Sequence, residues 1–335
     1  MMIKNFTPFD PLQFESRTAQ RTDFAVVVAR GAFTIAPDSP LQMDDEQPPP
    51  LMTDEYRDQP GTSSIRVENS LAPYKPATDI HLDATAQVPR HLAAPAFKAA
   101  VQLGKRHKQI AVTGERYWQH KTLSGWRLTD PEPCDQVPVR YELAYGGSYR
   151  KDDTLQCCPD NSVGTGFVDK KQLDKSKPIP APRIMSLNDP VLELGKAYRP
   201  EGFGPLAPAW QNRARHAGTM DAAWEKTRWP ELPGDFNFAF YNSAHPELIY
   251  PGFVNGDEPV RLVNLSRIPE LNFTLPSCAL AVLVRYENGV MMPLPANLDT
   301  IHLQPDKMKA WLTWRAIFPL EAPVRVLEVH MTTKK

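Results

Sequence analysis

The stretch Lys307-Met308-Lys309-Ala310-Trp311-Leu312-Thr313-Trp314-Arg315-Ala316-Ile317-Phe318 sets Met308, Ala310, Leu312, Trp314, Ala316 and Phe318 at every second position. Lys307, Lys309, Thr313 and Arg315 fall on the opposite side. A two-residue period belongs to a pleated strand, whereas a helix needs apolar residues three and four apart. The reading is a strand of an antiparallel sheet, with one face on a core and the other towards solvent. Immediately upstream, Leu280, Val282, Val284 and Tyr286 lead into Asn288-Gly289, the pair that suits a two-residue type I′ hairpin turn. Val290 to Leu294 follows, and Pro305-Asp306 separates Thr300–Gln304 from the long strand.

Working outward, Phe24 to Ile35 is apolar on both faces, so it is placed centrally and covered on both sides. Val101-Gln102-Leu103 and Ile110-Ala111-Val112 flank Gly104 as a hairpin, with Lys105-Arg106-His107-Lys108 as its solvated tip. Val139, Tyr141, Leu143 and Tyr145 alternate with Arg140 and Glu142, which predicts another strand. Proline occupies 35 of 335 positions, about twice its usual share of ~5 %. That much proline enforces turns and disfavours long helices. Asp221 to Trp229 is the best helix, with Met220, Ala223, Trp224 and Thr227 on one face and Pro230 as a stop. A second short helix is expected over Trp210 to His216. Two segments, Asp38 to Ser63 and Gly146 to Pro208, are read either as irregular, proline-stapled caps on the sheet or as long functional or disordered loops, and the readings are compatible.

The expected architecture is mainly β. Antiparallel packed sheets form a sandwich-like body, with a proline-rich irregular middle and one or two short helices. Residues 1–150 are expected as an N-terminal β half, 151–240 as the loop and short-helix region, and 241–335 as a C-terminal β half. No Gly/Ser linker divides them, so 1–335 is read as one continuous unit.

Charge and motifs narrow the function. Lys plus Arg number 38 against 39 Asp plus Glu, so the basic excess or stripe of a nucleic-acid binder is missing. No apolar run reaches the ~18 residues of a membrane span. The opening MMIKNFTPFDPLQF lacks the apolar centre of a secretory signal, and the four cysteines show no CxxC spacing. A cytoplasmic location is expected. Gly146-Gly147 and Gly164-Thr165-Gly166 precede no amphipathic helix and read as turn glycines rather than a phosphate cradle. There is no HExxH, no two histidines stand at i, i+4, and no GxSxG elbow occurs. Cys157-Cys158 lies among Asp152, Asp153 and Asp160, whose charge disfavours a reactive thiolate. No catalytic, cofactor-binding or metal-binding residue is assigned. Asp44-Asp45-Glu46 reads as a solvated loop face. Trp210, Trp224 and Trp229, followed by Phe236, Phe238, Phe240 and Tyr241, form an aromatic-rich region for core packing or a partner surface.

The order of several motifs resembles a family of uncharacterised-domain accessory proteins encoded beside type VI secretion spike genes in proteobacteria. The resemblance runs from Asn5-Phe6-Thr7-Pro8-Phe9 through Lys75-Pro76-Ala77-Thr78-Asp79 and Gly114-Glu115-Arg116-Tyr117-Trp118. Tyr141-Glu142-Leu143-Ala144-Tyr145-Gly146-Gly147 and Asn161-Ser162-Val163-Gly164-Thr165-Gly166-Phe167 carry it on. Gly202-Phe203-Gly204-Pro205, Trp210 with Arg213, Asp221 with Trp224, and Leu312-Thr313-Trp314-Arg315 complete the series. The chain departs at Asp160, Ser162 and Met220, where the family pattern has arginine, proline and tyrosine. The resemblance implies a non-enzymatic cytoplasmic adaptor or chaperone that holds a toxic effector protein and helps load it onto the spike. Effector and spike are the expected partners, without nucleic acid, membrane or cofactor. Lys75, Asp79, Tyr141, Asn161, Gly164, Gly166, Trp210, Arg213, Asp221 and Trp224 are the candidate motif or interface residues, read as buried ion pairs, loop-fixing bonds or partner contacts. The alternative is a β-sandwich carbohydrate-active enzyme or carbohydrate-binding module, and a third reading is a structural part of the secretion apparatus.

Overall fold

In a computed structural model, which describes residues 2–89 and 92–333, the decisive strand spans Lys309–Pro319. It pairs antiparallel with Asp23–Thr34 on one side and with the second half of Met291–Gln304 on the other. Asp23–Thr34 is buried along nearly its whole length and lies between Lys309–Pro319 and Pro11–Arg17. Residues on both of its faces are buried, Val26 and Val28 as well as Ala25 and Val27, as expected. Cys278–Tyr286 and Met291–Gln304 form the Asn288-Gly289 hairpin. Met291 to Leu294 and Thr300 to Gln304 belong to one strand, broken in register by a bulge at Asp299. Val324–Thr333 pairs with Cys278–Tyr286 and carries Met2–Phe6 in parallel at the sheet edge. Both ends of the chain thus enter one mixed, mostly antiparallel sheet.

A second, antiparallel sheet runs Ile184–Met185, Arg106–Thr113, Ala96–Leu103, Pro259–Val263, Glu270–Thr274. Between the sheets lies the main core. Phe33, Ile80, Ile301, Leu312 and Trp314 from one sheet meet Val101, Leu103, Ile110, Leu262 and Phe273 from the other. Side chains two apart on each strand point the same way, which is why the alternation in the sequence reappears as two inner faces. A smaller core joins Val27, Ala316 and Phe318 to Val282, Val284 and Leu327.

Three local expectations are corrected. The far face of Lys309–Pro319 is not open to solvent, because Thr313 and Arg315 are buried. The irregular segment 44–75 straps across it: Lys309 Nζ meets Asp44 at 2.6 Å, and Arg315 donates to the Ser70 carbonyl and pairs with Asp299. The hairpin tip is only Gly104-Lys105; Lys108 lies within strand Arg106–Thr113 and is 1 % exposed. Tyr141–Leu143 is a 3₁₀ turn rather than a strand. Its carbonyls and carboxylate have partners that end any ladder: Asn161 Nδ2 donates to Tyr141 O, and Glu142 accepts from Ser64 N and Oγ.

The helices are short. Gln211–Ala214 follows Trp210, and Ala222–Thr227 is capped by Asp221, whose carboxylate accepts from Trp224 N at 2.8 Å.

Candidate functional site: a cleft over two buried polar clusters

Segment 68–79 descends from the strap into strand Thr78–Leu82, which runs parallel beside Met291–Gln304. Lys75 and Asp79 are four residues apart and form a buried ion pair at 2.8 Å, with Glu68 at 2.8 Å on the same ammonium. Arg213 lies 3.0 Å from Glu68 and donates to the carbonyls of Leu206 and Phe240. Asp79 also accepts from Asn242 Nδ2 and Ser243 N, and the Ser243 hydroxyl donates to Glu68. Two cations face two carboxylates and every formal charge is matched, which is the condition for burying them. Burial opposes each charge, but Lys75 and Arg213 hold Glu68 down at about 2, and Asp79 and Glu68 hold Lys75 up at about 12. His81, also buried here, is pushed down to about 4 by desolvation and stays neutral.

Next to this cluster, Asn161 organises the loop that follows the second sheet. Its amide donates to Tyr141 O at 2.8 Å and Tyr145 O at 3.0 Å, and its backbone carbonyl accepts from Gly147 N. A Cβ on Gly164 would collide with the Asn161 amide and lie 2.7 Å from the Ala144 carbonyl, so only glycine permits the approach. Gly166 takes a positive φ of 99° where the loop turns against Pro182. Tyr141 and Trp210 meet edge to face at 5.1 Å, and Trp210 Nε1 reaches Ser162 Oγ.

Above this floor opens a cleft of about 940 Å³, lined by Asp160, Asp189, Tyr198, Arg199, Gln211, Arg215 and the Glu201–His245–Glu247 group. The buried ammonium of Lys108 enters that group from the sheet below. It bonds Glu201, lies 2.7 Å from Glu247 and 3.4 Å from His245 Nε2. The imidazole and two carboxylates offer ligand atoms within 4.8 Å of one another. Lys108 already supplies the positive charge at their centre, so a divalent ion does not fit while the lysine is there. Desolvation, together with Lys108 and Arg199, lowers His245 to about 3; desolvation also raises Glu201 against the pull of Lys108.

Lys75, Asp79, Tyr141, Asn161, Gly164, Gly166, Trp210 and Arg213 do not line this cleft themselves; Asn161 and Trp210 are chain neighbours of the lining residues Asp160 and Gln211. Asp221 and Trp224 lie apart, on an outlying helix whose exposed neighbours include Met220 and Trp229. Arg213 and Asp221 serve separate local structures: Asp221 caps its own helix and Arg213 pairs with Glu68. Trp224 Nε1 donates to the Glu231 carbonyl, and Glu231 ties the region to Arg17 and Arg21. Phe236, Phe238, Phe240 and Tyr241 form a half-buried ring cluster with centroids 5.4–6.1 Å apart. Lys108, Glu201, His245 and Glu247 escaped sequence reasoning. They are spread over 140 positions with no common spacing, and only the apolar partners of Lys108 in its strand hinted at burial.

Fold and cleft define a β-sandwich carrying polar clusters beneath irregular loops. Residues 20–315 match DUF2169, described as an uncharacterized protein conserved in bacteria, and the chain belongs to that family. No curated protein and no solved structure matches it. Among the described residues no helix is long and apolar enough to cross a membrane.

Proposed function

We propose that the chain is a non-enzymatic adaptor that holds a type VI secretion effector in the cytoplasm and presents it to the spike, with the 940 Å³ cleft as a cargo-docking surface. The observation that carries this reading is Lys108. It ties up both carboxylates and faces the imidazole, the groups that would otherwise act as acid and base, leaving a wide polar cleft suited to binding. Loops on a rigid sheet suit capture, since the sheet holds position while the loops carry specificity. The motif resemblance supplies the identity of the cargo class.

The test is affinity purification of the tagged chain from cells with an active type VI system, followed by mass spectrometry. A roughly stoichiometric effector or spike protein is expected, and Arg215→Glu at the exposed cleft wall should reduce its recovery at least tenfold. An empty pull-down with both proteins would overturn the adaptor reading.

Glu201 and Glu247 favour one second reading, a carbohydrate-active protein, because paired carboxyl groups in a cleft are its usual machinery. That reading requires glycan binding or hydrolysis that is lost in Glu201→Gln. Failure to bind any glycan on a broad array removes it.

A further inference from the structure

The polar face of the large sheet holds a second opening, between the strap and strands Asp23–Thr34 and Lys309–Pro319. The outer groove has a volume of about 880 Å³. Its inner end continues as a recess of about 20 Å³, room for one water-sized group, that reaches His81 and His302. Arg30 and Trp311 line both parts. Arg30 is 7 % exposed, and its guanidinium lies over the Trp311 ring, 5.4 Å from the centroid. Among the described residues its side chain has no hydrogen-bond or ion-pair partner. The carboxylate that acts on it is that of Glu55, which is taken by Arg66 at 2.6 Å. Burial pulls the Arg30 pKa down to about 10, which leaves it charged at neutral pH. In the same layer His302 Nδ1 and Gln304 Oε1 are buried without partners.

Elsewhere in this fold buried cations have acceptors: Lys75 has Asp79 and Glu68, Arg315 has Asp299, Lys108 has Glu201, and Arg116 has the Pro182 carbonyl. A buried guanidinium with five donors and no acceptor is the exception, and it faces an open groove. We propose that this groove binds a carboxylate, with Arg30 as its two-pronged counter-ion and Trp311 as the platform that holds the guanidinium plane. The planar fork of arginine matches the two oxygens of a carboxylate, and stacking on an indole fixes its orientation. The rim argues against a doubly charged phosphate. Asp44, Asp45, Glu46 and Glu55 balance Arg30, Arg66, Lys307 and Lys309 in the lining, so the groove has no excess of positive charge to meet a second negative charge on the ligand. The carboxylate can come from a free small acid or from a peptide, as a chain terminus or an acidic side chain. The inference does not depend on the cargo reading, since no residue lines both this groove and the cleft.

The test is calorimetric titration of the whole chain with acetate, inorganic phosphate, and acetyl-trialanine as its free acid and as its amide. The free acid is expected to bind at least tenfold more tightly than the amide, and Arg30→Met should abolish that difference. Arg30→Lys keeps the charge without the fork and should retain a reduced difference, which covers the case in which the methionine variant fails to fold. Acetate binding as tightly as the peptide acid assigns a free small acid, and preference for the peptide acid assigns a peptide; either upholds the site. Equal binding of acid and amide, phosphate binding more tightly than acetate, or an unchanged preference in a folded Arg30 variant overturns it.

Discussion

The guanidinium of Arg213 lies 3.0 Å from the carboxylate of Glu68, tying the short helix under the cleft to the strap that covers the polar face of the sheet. Glu68 also accepts from Lys75, whose second partner is Asp79 on a strand of the main sheet. One chain of matched charges therefore joins strap, sheet and cleft floor. Breaking any link strands a charge out of water, which costs far more than a surface pair is worth.

Asp79→Asn is accordingly expected to lower the unfolding free energy by about 3–5 kcal/mol. The substitution leaves the Lys75 ammonium with Glu68 alone and removes an acceptor from Ser243 N. Urea denaturation of the variant reads this directly. A loss below about 1 kcal/mol would show that the network is hydrated.

Acid should unfold the protein in two overlapping windows. His81 is lowered to about 4 and His245 to about 3, so between these values and the unfolded ~6.5 the unfolded chain binds more protons than the native one. Stability is then full above pH ~6.5 and falls as pH drops, by about 3 kcal/mol for His81 alone. Glu68, lowered to about 2, adds a second loss as pH falls below the unfolded carboxylate value of ~4.3. Thermal unfolding between pH 8 and 4 should show a steep decline beginning near 6.5. A flat profile down to pH 5 would contradict the buried, neutral state of His81.

Removing Lys108 should convert the cleft cluster into a metal site. Lys108→Met leaves Glu201 and Glu247 without their counter-ion and should destabilise the chain by about 3–5 kcal/mol. The imidazole and two carboxylates suit zinc, so Zn²⁺ should recover part of that loss in the variant and have no effect on the parent. Melting temperatures with and without Zn²⁺ distinguish the two, and a variant indifferent to zinc would mean that the three ligands disperse without the lysine.

The loop clasp can be tested by proteolysis. Gly164→Ala forces a methyl against the Asn161 amide, and Asn161→Ala frees the carbonyls of Tyr141 and Tyr145. Each should cost about 1–3 kcal/mol and speed cleavage within residues 146–182. Unchanged cleavage in both variants would show that the loop is held by other contacts.

Local alternation was enough to locate Asp23–Thr34, the Ala96–Thr113 hairpin, the Asn288-Gly289 hairpin and Lys309–Pro319, because a strand writes its period into adjacent residues. Caps and stops were equally local, as with Asp221 ahead of Ala222–Thr227. Proline content announced the irregular middle and the scarcity of helix. Tertiary structure alone decided what covers the second face of the sheet, since Thr313 and Arg315 look solvated until a strap from residues 44–75 lies over them. It also decided that Lys108 is a buried counter-ion rather than part of a hairpin tip, and that Arg213 answers Glu68. The physical reason is the same in each case. The partners that meet Lys108, Arg213 and Arg315 in space lie up to hundreds of residues away in the sequence, where no short period can record them.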